Sequence, residues 1–535
     1  MKRNKYAVIA TAALGLVLGG CAKKFDTYKQ NPNEPTVVPP GQLLRSIEAD
    51  MYVAPFGQEE RNDQYTCSNY NYYDDNAYWD GVFHSQFASL NYTTLTNVLN
   101  MQSSAATAAN SNTNPYDAMA KFFKAYFFVK MTMAVGDLPM TDALQGASNF
   151  TPKYDTQKDI FIQCLKWLDS ANTEMGQIIA SGQTYEFSGD SYYADFVGSA
   201  AAMVQWQKAF NAFHLRVLVE LSNQASDPDL GVASQFAAII GNPGTYPLMT
   251  SWQDGTQFQY NSQYNYYPNN NTVYGTQTLR YNMAAAYTDS LSSFNDLRVM
   301  MVAEPARGLG FADTDYRSYK GANSGLPLST MTLGVTSNST NLYSLIGRHR
   351  YYETLVGEPT FIIGYPEMCF NIAEGIARGW ASGSAATWYQ TGIFSDFDFY
   401  GVKDGANTVF LQRPSGALGE DITYNVHFNY AAYMAQPLVA FAGNNARGVA
   451  QILEQKYISM FRNSGLEGYY QWRRTGVPGF LQGPAQSGYG NGGTVPLRFQ
   501  YPQDEVGANS ANYNAAVQSQ YAGKDDINEA MWLLK

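Results

Sequence analysis

Charge is scarce in this sequence, and positive charge is scarcer than negative charge. Charged residues make up 15% of the 535-residue chain, with 34 Lys and Arg against 45 Asp and Glu and a formal net charge of −11. A nucleic-acid partner requires Lys and Arg clustered on one face, and no such cluster occurs, so we expect no nucleic-acid binding. The hydrophobic content of 45% is too high for a disordered chain and predicts a mostly globular protein.

The sequence also lacks a recognisable catalytic constellation. No nucleophile elbow, phosphate-binding loop or zinc-binding motif is present. The histidines are few and scattered, at His84, His214, His349 and His427. His214 lies beside the apolar stripe of a predicted helix, which favours a buried core histidine over a ligand or a base. We therefore predict that the protein is not an enzyme.

Neighbouring acids are the one feature of the sequence that would be consistent with a glycosidase. They occur at Asp74 with Asp75 and at Asp396 with Asp398. Sequence spacing cannot show whether two carboxylates lie across a scissile bond, and neighbouring acids are more typical of a solvated surface or a cation site. We predict no metal-ligand set and no cofactor, while a structural calcium ion at such acids is left open.

Cysteines are too few and too widely spaced for a disulfide framework or a zinc site. They are Cys21, Cys67, Cys164 and Cys369. Cys164 and Cys369 lie in apolar helical stretches, so we expect them to be small core residues.

The first twenty residues are typical of a secretory signal. A positive start precedes an apolar run over residues 7–18, which is too short to span a bilayer as a mature helix. The run ends in Leu18-Gly19-Gly20-Cys21, which resembles the bacterial lipobox, where cleavage leaves an acylated cysteine. The alternative is an ordinary signal peptide with a chance cysteine. We predict a signal peptide over 1–20, lipidation of Cys21 and a Pro-rich tether over 21–41; removing 1–20 changes the formal charge from −11 to −14.

Helical periodicity dominates after the tether. Apolar residues recur at three- and four-residue steps over residues 42–54, 78–101, 115–135, 199–223 and 445–462. Further helices are predicted to begin at Thr156, where Asp159 gives a capping-box-like start, and at Pro366. Paired helices of this length predict a mostly α, tetratricopeptide-like scaffold, in which any repeats are degenerate because no period of 34 residues is found.

Four segments interrupt the helical pattern, at about residues 62–79, 246–281, 308–358 and 402–423. They are rich in Gly, Asn, Ser, Thr and Tyr, which predicts long irregular loops that lie on the scaffold and bind ligand. We therefore treat residues 42–535 as a single helical domain with these loops as insertions.

Five short motifs follow one another along the chain. They are the lipobox with Asn31-Pro32-Asn33; Gly136-Asp137-Leu138-Pro139 with Asp142-Ala143-Leu144; Pro366-Glu367-Met368 with residues 373–380; Glu454-Gln455-Lys456-Tyr457 with residues 470–476; and residues 495–502. In this order they resemble the SusD/RagB family of nutrient-binding outer membrane lipoproteins of Bacteroidota, and in particular its SusD-like subgroup. The resemblance spans nearly the whole mature chain. One departure is Leu497, where many relatives have an arginine before Arg498.

The resemblance implies more than the residues alone. It implies a tetratricopeptide core with ligand-bearing loops, a lipid anchor in the outer membrane at the cell surface of a Gram-negative bacterium, and a SusC-like TonB-dependent transporter as partner. It also implies that the protein binds an oligosaccharide nutrient and delivers it to that transporter. A peptide ligand, as in other members of the family, is the first alternative, and a surface glycoside hydrolase is the second.

Two of the motifs have a structural explanation. Gly136 to Pro139 is typical of a helix C-cap followed by a turn. Arg473 and Arg474 follow Trp472 and could face the transporter or an acidic ligand. We favour stacking on a tryptophan or pairing with Glu454 or Glu467 inside the fold.

Two of the loops combine aromatic rings with amides and carboxylates. The side chains that we predict to contact ligand are Tyr72, Tyr73, Asp75 and Trp79 in one loop and Trp252, Tyr264, Tyr266 and Tyr267 in the other. A sugar ring stacks its apolar face on an aromatic plane, and its hydroxyls bond to amides and carboxylates, so this mixture suits a glycan. For each tyrosine the alternative remains open that its ring packs the loop onto the scaffold.

Overall fold

The computed structural model describes residues 38–70, 75–78, 90–185, 187–193, 198–332, 334 and 339–535. Helices form most of its regular structure, which confirms the predicted fold class. Their bounds are α1 Pro40–Met51, α2 Gln58–Asn62, α3 Tyr92–Ala109, α4 Pro115–Val135, α5 Gln157–Ser181, α6 Ser199–Glu220, α7 Val232–Gly241, α8 Ala285–Ser293, α9 Arg298–Val302, α10 Leu328–Thr332, α11 Arg348–Tyr352, α12 Tyr365–Ala377, α13 Ala385–Tyr400, α14 Tyr430–Met434, α15 Ala446–Ser459, α16 Glu467–Thr475, α17 Gln503–Ala508 and α18 Ser510–Tyr521.

The long helices pack against one another in chain order. Helix α1 contacts α3, and each of α3, α4 and α5 contacts the long helix that follows it. Helix α6 then packs on α12, which contacts α13 and α15. This succession of contacting helices forms the helical scaffold that the sequence predicts. Among the described helices, none combines the length and the hydropathy that a membrane-spanning segment needs.

Local signals set the ends of the scaffold helices. Pro115 begins α4, and the side chain of Asn114 accepts a hydrogen bond from a first-turn N–H at 3.1 Å. Gly136 ends the helix with a φ of 95°, a region that disfavours other residues, and an added Cβ would meet Gln520 and Tyr521 at 2.3 Å. The predicted cap at Thr156 is confirmed, since its hydroxyl accepts from the Asp159 N–H at 3.2 Å.

Both predicted bounds of one helix are wrong. The pattern predicts a helix over 78–101, but Tyr78 lies in a bend, and the described helix begins at Tyr92 and continues to Ala109. Residues 79–89 lie outside the described part of the chain.

Aromatic rings fill the space between α4 and α6. Phe122 stacks on Phe210 with ring centroids 4.7 Å apart and lies 5.7 Å from Trp206. Each such ring pair contributes about 0.5 to 1.5 kcal/mol beyond the area it buries.

His214 lies on α6 and is buried. It is 3.1 Å from Gln235, and burial lowers its pKa to about 4. The histidine is therefore a neutral core residue at physiological pH, as predicted.

The strands are short and antiparallel. Their bounds are β1 Thr66–Ser68, β2 Thr256–Phe258, β3 Tyr281–Met283, β4 Ala303–Glu304, β5 Leu345–Ile346, β6 Thr360–Ile363, β7 Gly405–Gln412 and β8 Asp421–Phe428. Strands β1, β3, β5 and β4 form one sheet in that order, β2 pairs with β6, and β7 pairs with β8. The first two of these sheets join segments of the long connections that lie far apart in sequence.

The loop predicted over residues 402–423 is wrong. This segment contains β7 and the start of β8, which form a regular hairpin with Gly405 opposite Phe428 and Gln412 opposite Asp421. On β7, the alternate residues Asn407, Val409 and Leu411 face inward and are buried. This period of two is the signal that reveals the strand.

Buried arginines bind the acids of the sequence motifs. Arg216 donates to both oxygens of Glu367 at 2.7 and 2.6 Å, and Arg474 pairs with Glu374 at 2.6 Å. Arg473 lies over the Tyr470 ring at 4.4 Å. The predicted structural role of the two consecutive arginines is confirmed, although their partners differ from those predicted.

The predicted core role of the cysteines is also confirmed. Cys164 and Cys369 are buried free thiols inside the scaffold, and Cys67 is a third. Burial raises the pKa of all three, which keeps them protonated and unreactive.

Candidate functional site

The first predicted ligand loop lies only partly within the described chain. Tyr72, Tyr73 and Trp79 fall outside it, as does the predicted lipidation site Cys21. Asp75 is exposed and accepts a hydrogen bond from the Ala77 N–H at 3.0 Å. Its carboxylate is therefore accessible at the surface.

The two predicted ligand loops adjoin each other at their bases. Strand β1 pairs with β3, so that Ser68 lies opposite Tyr281. The Asn69 N–H donates to the Arg280 carbonyl at 2.8 Å, and the Arg280 guanidinium lies 4.6 Å from the Tyr70 ring centroid. The scaffold thus brings together two segments that are about two hundred residues apart in sequence.

The second loop presents two tyrosines to solvent. Tyr264 is 84% exposed and Tyr266 is 45% exposed. The turn that carries them is held by Asn261, whose side-chain oxygen accepts from three successive N–H groups, those of residues 263–265, at 2.9 to 3.3 Å. Asn265 donates back to the Gln259 carbonyl at 2.9 Å. Exposed rings on a turn fixed in this way are available to stack on a ligand.

Tyr267 is a correction to the predicted site. Its side chain is fully buried, with its ring 4.9 Å from Tyr260 and 5.6 Å from Phe56. The Tyr267 N–H also donates to the Leu355 carbonyl at 2.8 Å. Tyr267 therefore anchors the loop to the scaffold and cannot contact a ligand at the surface.

Trp252 has partners within the fold. Its indole N–H donates to Asp398 at 2.9 Å, and its ring lies 5.4 Å from Phe399 in an edge-to-face contact. In the described part of the chain no hydrogen bond or ring contact joins Trp252 to Tyr264 or Tyr266. The contacts of Trp252 are therefore with α13 and not with the two exposed tyrosines.

The exposed tyrosines continue into a wider surface. The Asn271 side chain donates to the Glu353 carbonyl at 3.2 Å, which joins the loop to the end of α11. His349 on α11 stacks on Phe410 of β7 at 4.4 Å, and Phe410 is 39% exposed. We call this surface the loop face: the exposed side of residues 261–273, of α11 with the residues that follow it to 356, and of the β7–β8 hairpin.

Sequence reasoning missed the part of the loop face on α11 and the hairpin. It assigned both segments to loops that bind ligand, but it named His349 only among the scattered histidines and gave no role to Glu353, Phe410 or Asp421. The local signal for this surface is the alternation of buried and exposed residues on β7, which places Phe410 on the outward side. The pairing of His349 with Asp421, 72 residues apart, had no local signal.

The acid pair Asp396 and Asp398 is not available for catalysis. Asp396 is buried and accepts from Arg298 at 2.5 Å, while Asp398 is exposed and accepts from Trp252. Burial raises the pKa of Asp396 to about 6, although Arg298 opposes the shift. An acid held in a buried ion pair cannot reach a glycosidic bond.

A pocket in the scaffold is a second candidate site. It has a volume of about 250 Å³ and lies between α1, α4, α6 and the residues around the start of α16. Its lining is mainly apolar, with Tyr126, Phe213 and Tyr470 among the contributing rings. Five charged residues also line it, namely Glu59, Lys130, Arg216, Glu220 and Glu467. Burial lowers the pKa of Lys130 and raises that of Glu467. An apolar side chain with a nearby charge would suit this pocket.

Comparison with known proteins gives a consistent result. The model of a SusD-like family, described as starch-binding and associating with the outer membrane, matches residues 32–502. No curated protein matches the chain.

Solved structures match over nearly the whole length. A SusD homologue from Bacteroides fragilis NCTC 9343 has 28% identity and a TM-score of 0.76, covering 93% of this chain and 100% of that chain. A candidate nutrient-binding outer membrane protein from Bacteroides vulgatus ATCC 8482 has 26% identity and a TM-score of 0.74, with the same coverage. A second homologue from Bacteroides fragilis has 28% identity and a TM-score of 0.72, covering 93% and 99% of the two chains.

Proposed function

The chain belongs to the SusD-like family of starch-binding proteins that associate with the outer membrane, and on that basis we propose that it binds an oligosaccharide nutrient without cleaving it. In this proposal the protein is a lipoprotein at the cell surface of one of the Bacteroidota. It passes its ligand to a SusC-like TonB-dependent transporter.

The observation that carries the proposal is the pair of exposed rings at Tyr264 and Tyr266. Tyr264, at 84% exposure, and Tyr266, at 45% exposure, lie two residues apart on a turn fixed by three hydrogen bonds, so one rigid turn presents two rings to solvent on which a sugar can stack. Exposed amide groups on the same face, including Gln263 and Asn271, supply partners for sugar hydroxyls. Stacking planes beside polar groups are the requirements of a glycan site.

Calorimetric titration with three probes tests the proposal. Maltoheptaose follows from the family description, chitohexaose offers a different linkage, and a tryptic digest of casein represents peptides. We expect saturable binding of an oligosaccharide, whose length stays unchanged after overnight incubation when it is analysed by mass spectrometry. Shortened sugars would instead support a surface glycoside hydrolase, and binding of the casein peptides alone would support a peptide carrier.

The scaffold pocket is the observation that favours the peptide alternative. Its apolar lining with Lys130 and Glu467 would accept an apolar side chain next to a charged group. Substituting Lys130→Ala and Tyr264→Ala separately distinguishes the two sites. If the casein peptides bind and only Lys130→Ala weakens that binding, the peptide alternative replaces the glycan proposal.

The proposed transporter partner requires a stable interface. Such interfaces are large and mostly apolar at their centre, so the negative charge of the chain does not oppose docking. We expect the protein to co-purify with a TonB-dependent transporter from membranes dissolved in a mild detergent. Recovery of the protein alone, when the transporter is present in the same extract, would contradict the partnership.

Replacing Cys21 tests the proposed anchor. A diacylglycerol and an amide-linked acyl chain exceed the two chains needed for stable membrane attachment, so Cys21→Ala should move the protein from the membrane fraction to the soluble fraction. Immunoblots of the two fractions measure the shift, and Cys67→Ala, which removes a buried thiol, is the matched control. Full retention of Cys21→Ala in membranes that lack the transporter would contradict lipidation.

A further inference from the structure

Three potential metal-ligating groups converge at one end of the loop face. The His349 imidazole Nδ1 lies 3.0 Å from the Glu353 carboxylate and 2.7 Å from the Asp421 carboxylate. One ligand atom from each residue lies within 4.8 Å of the other two. His349 and Glu353 are four residues apart at α11 and its C-cap, whereas Asp421 begins β8. A helix end and a hairpin therefore supply one constellation.

The second oxygen of each carboxylate has no partner. Glu353 Oε1 and Asp421 Oδ1 are buried from solvent, and neither has a hydrogen bond. A buried carboxylate oxygen without a donor is costly, by about 1 to 3 kcal/mol or more. The arginines that flank His349 do not supply the missing charge, because Arg348 donates to the carbonyls of Ile346 and Thr278 and Arg350 pairs with Glu358. A cation bound between the two acids would compensate their charge, and bidentate coordination by each carboxylate would also give these oxygens a partner.

The imidazole is held in the orientation that such a cation needs. Its ring stacks on Phe410 with centroids 4.4 Å apart and an angle of 21° between the planes. This contact presents Nδ1 to both carboxylates. The distances of 2.7 and 3.0 Å are slightly shorter than the separation of about 3.4 Å between ligands of a tetrahedral ion, so only a small outward movement is needed.

We propose that His349, Glu353 and Asp421 bind a divalent transition-metal ion, with Zn²⁺ as the best fit. One nitrogen and two carboxylate oxygens suit Zn²⁺ and its neighbours in the first transition row. Calcium prefers six to eight oxygen ligands and is a poor match for an imidazole. This site is therefore different from a calcium site at the neighbouring acids, Asp74 with Asp75 or Asp396 with Asp398, that the sequence leaves open. The ion would tie the β7–β8 hairpin to α11 and leave coordination positions open for water.

The inference does not depend on the proposed glycan function. Its evidence is confined to three side chains, their orphaned oxygens and one aromatic contact. A failure to bind oligosaccharide would leave the metal site untouched, and the reverse also holds.

Metal titration of the tag-free protein tests the proposal. After dialysis against EDTA and then chelator-free buffer, ZnCl₂ and CaCl₂ are titrated separately in competition with a chromogenic indicator. We expect one Zn²⁺ per chain and binding of Ca²⁺ at least about 100-fold weaker. His349→Ala, Glu353→Gln and Asp421→Asn should each weaken Zn²⁺ binding by about tenfold or more.

His427→Ala is the matched control, because this exposed histidine lies on β8 outside the cluster. The control should bind Zn²⁺ like the unaltered protein, and the conservative Gln and Asn variants should keep the melting temperature of the metal-free protein. Zn²⁺ should raise the melting temperature of the unaltered protein and of His427→Ala only. The proposal is overturned by absence of stoichiometric binding, by Zn²⁺ affinity that survives in all three variants, or by Ca²⁺ binding as tightly as Zn²⁺.

Discussion

Replacing Arg298 by alanine is expected to lower the free energy of unfolding by about 3 to 5 kcal/mol. The guanidinium is fully buried and donates to Asp296 at 2.6 and 3.0 Å and to Asp396 at 2.5 Å. It also donates to Gln455 on α15 at 2.9 Å. Without the guanidinium, two buried carboxylates lose their counter-charge, which is the main source of the penalty.

Thermal melting followed by circular dichroism measures this effect, with Arg317→Ala as the matched control. Arg317 is also paired with an aspartate, Asp315 at 2.6 Å, but its side chain is 71% exposed, so we expect little change. Combining Arg298→Met with Asp296→Asn and Asp396→Asn should recover part of the loss, because no uncompensated charge then remains buried. A melting temperature of Arg298→Ala within a degree of the unaltered protein would contradict the role of this ion-pair cluster.

Replacing Tyr264 and Tyr266 together by alanine is expected to weaken oligosaccharide binding by about thirtyfold or more. Each stacking ring contributes about 1 to 3 kcal/mol at a binding hot spot, and each 1.4 kcal/mol corresponds to a factor of ten in affinity. Both rings are exposed, so their removal should leave the melting temperature nearly unchanged. Calorimetric titration with the oligosaccharide that binds the unaltered protein measures the loss.

Phe150→Ala is the control for this experiment. Phe150 is 77% exposed but lies in the connection between α4 and α5, outside the loop face. Its removal should leave the affinity unchanged. Tyr267→Ala should behave differently from both, because that ring is buried in the core and its loss should lower the melting temperature by several degrees. Full affinity in the Tyr264 and Tyr266 double variant would move the binding site elsewhere on the protein.

Local sequence signals were sufficient to predict the scaffold. Helix α4 occupies the predicted range 115–135, because Pro115 and Gly136 mark its ends and apolar residues recur along its length. The cap at Thr156 likewise depends on residues three positions apart. Such features need no knowledge of distant parts of the chain, so periodicity and capping residues reveal them.

Long-range contacts explain where the sequence predictions failed. Tyr264 and Tyr267 belong to the same tyrosine-rich loop, yet one is exposed and the other is buried against Tyr260 and Phe56. Phe56 lies some two hundred residues away, and no local pattern indicates that it meets this loop. The hairpin at 405–428 is predictable in principle, because buried and exposed residues alternate along β7. Its Gly and Asn residues, however, favour the prediction of a loop.

The partners of the buried arginines illustrate the same limit. The sequence indicated that Arg474 pairs inside the fold, but Glu374, its partner at 2.6 Å, is 100 residues away. The cluster of His349, Glu353 and Asp421 also joins distant segments. The packing of α6, α12 and α16 and of the hairpin decides which charged groups meet. Neighbours in sequence do not decide it.

Hydrogen–deuterium exchange with and without saturating oligosaccharide tests the central claim most directly. If the loop face binds the glycan, backbone amides of residues 261–273 and of the segment around Glu353 should exchange more slowly in the complex. Peptides that contain Phe150 should be unaffected. Protection confined to the scaffold pocket around Tyr126 and Lys130, or protection that appears only with casein peptides, would contradict an oligosaccharide site on the loop face.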